Sequence, residues 1–392
     1  MSERVDIFVS GGGIAGLTAA VALQRLGLSV VLADPSPPVS AQNEEGSDLR
    51  STAFLQPASG FLEEFGIWAN LADTAVPLEA LRVVDLFGEP PDIRTDKIFQ
   101  SSDLADAPFA WNLPNWLVRK RLSDAATGVD LRLGVGFRSM LCRDREALVQ
   151  LTDGSTVRAG LVLAADGRAS PVRAAAGIDV KTWRYGQKAL AFVVNHEVPH
   201  QNVSIELYLS GGAFTLVPLP DQDGRPASAV VWMNDGREAV RLSELSSEDL
   251  GVATTERSAG ILGNLHVISP VRTWPVVTQK ASAMVAKRVA LMAEAAHVLP
   301  PIGAQGLNTS LADVRVLVDL VREGLEPGSE VFLRRYAAAR EKDIAARARV
   351  VDLYNRVCRS GEAPMQALRS LGLSLVHDVA PVRHAVMRAG MG

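Results

Sequence analysis

A short strand, a glycine-rich turn and an alanine-rich helix open this chain and constrain it more than any other stretch. Val5-Asp6-Ile7-Phe8-Val9 is short, largely apolar and β-branched, and Ser10-Gly11-Gly12-Gly13-Ile14-Ala15-Gly16 follows it directly. Ile14 to Leu26 then carries apolar residues at helical spacing, with Ala19, Ala20 and Ala22 small enough to let a helix lie close on a sheet. Gly27 reads as the helix stop, and Ser29-Val30-Val31-Leu32-Ala33 is a second buried strand ending at Asp34. This is a βαβ unit holding Gly11-x-Gly13-x-x-Gly16, the context in which that spacing points to a dinucleotide. Gly11 permits the tight turn, Gly13 lets backbone approach a pyrophosphate, and Gly16 lets the helix pack on the strand. The first helical turn, with Ile14 and Ala15, offers unpaired N–H groups and a positive dipole end to phosphate. Asp34 is placed to accept hydrogen bonds from ribose hydroxyls. The motif alone does not separate NAD from FAD.

Two later stretches make that choice. Leu161 to Ala165 is a buried strand delivering Asp166-Gly167, and Ser170 is positioned to cap a following helix. Taken alone, an Asp-Gly pair reads equally as a turn. Val289 to Ala293 is another buried strand, followed by Glu294-Ala295-Ala296-His297 and by Pro300-Pro301-Ile302-Gly303-Ala304-Gln305-Gly306-Leu307-Asn308 at the start of a long helical pattern. A carboxylate at Glu294 can bind ribityl hydroxyls. Loop amides from Gly303 to Asn308, including those of Gln305, Gly306 and Leu307, can stabilise charge on a reduced flavin ring. Pro300 and Pro301 stiffen the loop against the ring plane. Three separated segments serving one ligand point to FAD.

The remaining chain reads as a Rossmann-like α/β fold with an inserted antiparallel sheet and C-terminal helices. Residues 1–75, 113–182 and 276–325 are assigned to the FAD-binding part. Residues 76–112 and 183–275 form a substrate domain, and 326–392 a helical end. Within the insert, Ala189 to Val194, Val203 to Leu209, Phe214 to Pro218 and Ala229 to Met233 read as strands flooring a cavity. Residues 35–47 read as a loop, 246–262 as a helix, and 365–371 and 375–388 as two short helices.

Composition excludes several function classes. Net charge is −4, so nothing favours nucleic acid as a partner. The six histidines show no metal spacing. Cys142 and Cys358 stand far apart, which fits a reducing cytoplasm. Met1 to Arg4 leads straight into the first strand, so no secretory leader is expected, and no charge-free apolar run approaches the roughly 20 residues of a membrane span. Gly134-x-Gly136 lacks a third glycine, which leaves no second dinucleotide domain for NAD(P)H.

The chain resembles the class A flavoprotein aromatic hydroxylases, the family of para-hydroxybenzoate hydroxylase. Within them it is most similar to the ubiquinone-biosynthesis hydroxylases of the 2-octaprenyl-6-methoxyphenol type. The residues carrying this are Asp48-Leu49-Arg50-Ser51-Thr52-Ala53-Phe54, Phe65-Gly66-Ile67-Trp68, Asn112-Leu113-Pro114-Asn115-Trp116 and the 294–308 segment. The resemblance implies that Arg50 and Arg119 touch the flavin or its pyrophosphate. It further implies hydroxylation of a phenolic, polyprenyl-bearing ring with O2 through a flavin C4a-hydroperoxide, and NAD(P)H as a transient reductant. His297 is the one acid–base candidate near such a ring, with a packed structural histidine as the competing reading. Three departures stand out: Ala293-Glu294 where the broad family has Gly-Asp, Asp34 where many FAD proteins have Glu, and Thr309-Ser310 in place of a glycine-containing helix start. A small soluble aromatic substrate, or a non-catalytic scaffold role in a biosynthetic complex, remain the rival readings. A homo-oligomer stays open. The basic amphipathic stretch from Leu368 to Met391 would suit either the protein's own core or a peripheral membrane contact.

Overall fold

The computed structural model describes residues 3–391 apart from Asn43. Met1, Ser2 and Asn43, which belong to the leader and loop expectations above, lie outside the described residues. The first sheet runs in the order Val285–Ala286, Val289–Leu291, Thr156–Ala164, Glu3–Ser10, Val30–Asp34, Asp130–Leu133. Its last five strands pair in parallel. Ile7, Phe8, Val9, Leu161, Val162 and Leu163 have no exposed surface, the continuous apolar run expected of strands covered on both faces. Helix Ile14–Arg25 covers one face, with Ala19, Ala20 and Ala22 fully buried as the sequence predicts. Phe137–Cys142 and Ala147–Leu151 form an antiparallel flap on strand Thr156–Ala164. That strand begins earlier than the expected Leu161, because Arg158 and Gly160 sit on it without breaking the ladder.

The register of the parallel strands places the motifs. Ser10 pairs with both Ala164 and Ala33, and Ala164 pairs with Leu291. The strands point the same way, so Gly11, Asp34, Ala165 and Met292 emerge side by side along one edge. Ligands of open α/β sheets bind at that carboxyl edge.

The second sheet has nine strands, with main order His297–Val298, Arg272–Ala281, Val180–His196, Arg225–Asp235, Ala213–Gln222, Val203–Tyr208, Ala80–Phe87, Asp92–Gln100. It is mixed and not wholly antiparallel: Val203–Tyr208 pairs in parallel with Ala80–Phe87, a strand arriving from far earlier in the chain. Asp92–Gln100 was not legible as a strand because Asp92, Arg94, Asp96 and Lys97 interrupt it; such charge is characteristic of an edge. The two sheets meet where His297–Val298, just beyond Glu294, pairs with Arg272–Ala281. A small sheet of Ser51–Leu55, Ala110–Pro114 and Val76–Leu78 bridges them on the other side.

Helix Glu330–Arg359 ties the two halves together. Near its start the Tyr336 hydroxyl donates to Leu291 O at 2.8 Å; near its end the Tyr354 and Tyr208 hydroxyls lie 2.5 Å apart. Those tyrosines are about 27 Å apart along the helix axis. Ala363–Asp378 then lies over the mixed sheet, held by the buried Arg369–Asp85 pair at 2.5 Å. The sequence suggested two short helices broken near Gly372. The break falls instead between Ala363–Asp378 and Ala380–Met391, where Pro381 fits only a first helical turn. The expected helix over 246–262 ends earlier, as Ser247–Arg257.

Candidate functional site

The first glycine turn is dictated by contact. Gly11 has φ +108°, and a Cβ there would lie 2.3 Å from Ala165 O. A Cβ on Gly16 would lie 2.0 Å from Gly11 O, so this glycine sets the close seat of helix on strand. Gly13 differs: it begins helix Ile14–Arg25 with no side-chain cap, and a Cβ there would meet nothing within 4 Å. The helix N-terminus is therefore bare and faces open space.

Asp34 is engaged by the chain itself. Its Oδ2 accepts the Gly12 amide at 2.5 Å, and its Oδ1 accepts the Ser36 amide at 2.7 Å and Arg119 Nη2 at 3.2 Å. Arg119 Nε also donates to Gly12 O at 2.7 Å. Arg119 and Asp34 thus clamp the glycine turn from two sides.

Asp166 serves its own neighbourhood as well. Its Oδ2 accepts the Val172 amide at 3.1 Å and the Ser10 hydroxyl at 3.3 Å, joining helix Pro171–Ala175 to the first strand. Burial pushes its carboxyl pKa above the ordinary value, despite hydrogen bonds that pull it down. Gly167 and Arg168, not Asp166, border the cavity described below.

The third segment is held by a buried chain of charge. His297 Nε2 and Asp313 Oδ2 are 2.8 Å apart, the same oxygen accepts the Ala293 amide at 2.8 Å, and Arg340 Nε donates to Asp313 Oδ1 at 2.6 Å. Burial raises the Asp313 carboxyl, yet His297 and Arg340 outweigh it and hold the pKa below the ordinary value. Ala293 has φ +52°, the left-handed conformation for which glycine is suited. Glu294, next to it, is exposed and borders the cavity. Arg50 sits 5.4 Å above the Trp274 ring and pairs with Asp48 through two 2.7 Å bonds. Burial opposes its charge, but Asp48 first and then Glu294 hold the guanidinium pKa up.

The loop then turns through Gly303 and Ala304, both with positive φ, into helix Gln305–Arg322. That N-terminus also lacks a side-chain cap. A Cβ on Gly306 would meet nothing within 4 Å. Gln305 is fixed through Arg347 Nη1, which donates to its Oε1 at 2.8 Å. Asn308 faces away: its Nδ2 donates to Ala53 O at 2.8 Å and its Oδ1 accepts the Leu55 amide at 3.0 Å, stitching helix to strand.

These parts surround a cavity of about 990 Å³. One end is bordered by Gly13, Ile14, Ala15, Gly16, Arg50, Arg119, Glu294, His297, Pro301, Gly303, Gln305, Gly306 and Leu307. Gly11, Asp34, Asp166 and Asn308 stand behind that wall and shape it. The other end lies between the mixed sheet and the last helices, with Leu81, Val83, Phe99, Val276, Leu373, Val376 and Met387. Sequence reasoning missed Trp274, Glu206 and Tyr354 on this wall. Alternation along Val203–Tyr208 was the available signal, since Ser204, Glu206 and Tyr208 share one face. Tyr208 borders the cavity, whereas Arg225 sits at an exposed hairpin. Among the described residues no cluster of His, Cys, Asp or Glu could hold a metal.

The residues fit a flavin dinucleotide: two uncapped helix N-termini with open space at Gly13 and Gly306 face one cavity. An FAD binding domain family matches residues 4–350. The chain belongs to the class A FAD-binding monooxygenases. The ubiquinone hydroxylase UbiL of Rhodospirillum rubrum is 32% identical over 99% of this monooxygenase and 89% of its own length. The ubiquinone hydroxylase UbiM of Neisseria meningitidis is 24% identical over 99% of this chain and 85% of its own. The p-nitrophenol 4-monooxygenase PnpA of Pseudomonas putida shares the fold, with TM-score 0.81 and 19% identity, covering 99% of this monooxygenase and 98% of that chain. Among the described residues no helix is long and apolar enough to cross a membrane.

Proposed function

We propose that this monooxygenase hydroxylates a phenolic ring carrying a polyprenyl tail, in the formation of ubiquinone. The observation that carries the reading is one continuous cavity, polar with bare helix ends at the flavin side and apolar between the mixed sheet and the last helices. Its volume of about 990 Å³ suits a cofactor ring, an aromatic head and part of a tail together. The names of the relatives, ubiquinone hydroxylases UbiL and UbiM, agree with it.

In this reading the amides of Gly13, Ile14, Ala15 and Gly16 hold the pyrophosphate, with Arg119 beside them. Gly11, Asp34 and Asp166 hold the turn and strand ends that shape that seat. Glu294 binds the ribityl chain, and Arg50, stacked on Trp274, closes over the ring. Amides of Gly303, Gln305, Gly306 and Leu307 face the pyrimidine edge, with Pro301 against the ring plane and Asn308 locking the loop to its neighbour. Bound and reduced, FAD supplies the activation of O2, with NAD(P)H as transient reductant. The chain's own work is to orient the ring and exclude water. Leu81, Val83, Phe99 and Met387 do the latter. His297, tied to Asp313 in the buried charge chain, positions the loop. Leu368, Leu371 and Leu375 remain exposed on helix Ala363–Asp378, which keeps a peripheral contact with a lipid surface within this reading.

Expression in a bacterial strain lacking an aerobic ubiquinone hydroxylase tests this. Restored ubiquinone, with loss of one accumulated phenol and incorporation of one oxygen atom from labelled O2, is the expected result. A yellow, FAD-loaded protein that restores nothing in any such strain would sink the assignment.

A further inference from the structure

Glu206 is a feature of the cavity wall that an apolar tail does not explain. It lies on strand Val203–Tyr208, between Val83 and Thr215 of the neighbouring strands, and is only 7% exposed. The two other buried acidic side chains among the described residues, Asp85 of the mixed sheet and Asp313 of helix Gln305–Arg322, each hold an arginine: Arg369 at 2.5 Å and Arg340 at 2.6 Å. Glu206 holds none. The Tyr208 hydroxyl, two residues on along the same strand face, only partly offsets the burial of its carboxyl. That hydroxyl is already 2.5 Å from the Tyr354 hydroxyl, so one of the two phenolic protons lies between the tyrosines. A carboxyl group has room for several hydrogen bonds, and at least one acceptor position is left facing the cavity. A buried polar group with spare acceptor capacity on the wall of a ligand cavity calls for a donor on the ligand. Burial without a cation also raises the group's pKa, which makes it a better proton acceptor than an ordinary carboxylate.

We infer that Glu206 is a specificity residue of the substrate cavity, accepting a hydrogen bond from a hydroxyl on the ring of the substrate. The inference rests on the phenol reading above and adds to it the side chain that distinguishes a free hydroxyl from an ether. The Tyr208–Tyr354 pair borders the cavity alongside Glu206, and Leu373 and Met387 leave the rest of the ligand in apolar surroundings. Once ionised, the carboxylate can only accept, so above the folded pKa of Glu206 a ring bearing only methoxy groups has no proton to offer and leaves it buried without that bond. Hydrogen bonds to ionised or strongly polar acceptors differ from none by enough to change affinity about tenfold.

The test is calorimetric binding of 4-hexylphenol and its methyl ether 4-hexylanisole to the FAD-loaded protein at the alkaline end of its stable range, where Glu206 is ionised and can only accept. The wild type is expected to prefer the phenol about tenfold. Glu206→Leu removes the acceptor and should bring the two affinities within about twofold by weakening only the phenol. Glu206→Gln keeps a carbonyl acceptor and should retain part of the preference. Should the leucine variant not fold, Glu206→Val, better suited to a strand, carries the same expectation. Equal binding of both ligands by the wild type, or an undiminished preference in the leucine or valine variant, overturns the assignment. Turnover plays no part in this comparison. A protein that prefers the phenol through Glu206 yet hydroxylates nothing would overturn the proposed function and leave this assignment standing.

Discussion

His297 and Asp313 share a 2.8 Å contact behind the flavin end of the cavity, and the same Asp313 oxygen accepts the Ala293 amide. This links the Ala293–His297 segment to helix Gln305–Arg322. Asp313 is wholly buried and also holds Arg340. Asp313→Asn removes the buried carboxylate that holds both Arg340 and the Ala293 amide, leaving Arg340 to Asp343 and Thr309 O, and should cost about 2 kcal/mol. The wild-type carboxyl is held below its ordinary 3.8, so its contribution is complete above that value and fades as pH falls through the lower folded value. Thermal melting from pH 7 down to 3 should show the wild type losing stability in acid. The asparagine variant should start lower and lose less over that interval. Parallel curves would mean the ion pair is not what the loop depends on.

Ala293 occupies left-handed backbone, φ +52°, beside Glu294. A Cβ there strains the fold by about 1 kcal/mol relative to glycine. Ala293→Gly should therefore raise the melting temperature slightly or leave it unchanged, contrary to the usual effect of adding glycine. Ala293→Val should lower it. A clear loss with glycine would show that the alanine methyl contributes packing that exceeds the strain.

How far the sequence exposed this site follows from the physics of each part. The glycine turn and the 300–308 loop were legible because backbone geometry restricts their residue types, and Glu294 because it follows closely on a buried strand end. Gly11 and Gly16 have no room for a side chain, and an uncapped helix N-terminus needs none. Asp34, Asp166 and Asn308 were legible as important but not in their direction. A polar side chain beside a motif reads the same whether it meets a ligand or braces the backbone, and only the hydrogen bonds to Gly12, Val172 and Ala53 separate the two. Glu206 was legible only as one of three alternating residues, because which face of Val203–Tyr208 meets the cavity is set by its parallel pairing with Ala80–Phe87, a strand from far earlier in the chain. Trp274 depends likewise on the long-range pairing of Arg272–Ala281 with Val180–His196. Asp92–Gln100 was hidden by the charges that protect it as an edge.

Gly11 and Gly13 are two residues apart and should fail differently. A methyl at Gly11 meets Ala165 O at 2.3 Å and forces a disallowed φ. Gly11→Ala should destabilise the protein, with or without FAD, by roughly 3 kcal/mol or more. A methyl at Gly13 meets no protein atom within 4 Å. Gly13→Ala should leave the unfolding free energy of the FAD-free protein within about 1 kcal/mol, since alanine is only a weaker N-cap than glycine. It should weaken FAD binding about tenfold or more by filling the seat of the pyrophosphate. Denaturant melts of FAD-free protein, paired with fluorescence titration of FAD, separate the two effects. A Gly13 variant with unchanged FAD affinity would remove the pyrophosphate from that helix end.

Glu206 also makes a prediction that involves no ligand. Burial raises its folded pKa above the ordinary 4.5, so the folded chain keeps a proton that the unfolded chain has already released. Its contribution is therefore most favourable below that value and is lost as pH rises through the folded pKa. Glu206→Gln carries no titrating proton and retains a group that Tyr208 can bond. The variant should melt above the wild type at pH 8, with the gap closing toward pH 5. Asp85 and Asp166 are raised by burial too, so both proteins lose some stability as pH rises, and the difference between them isolates Glu206. A gap that stays constant from pH 5 to 8 would mean that Glu206 releases its proton as readily folded as unfolded. The cavity wall around it would then be wetter than its 7% exposure indicates.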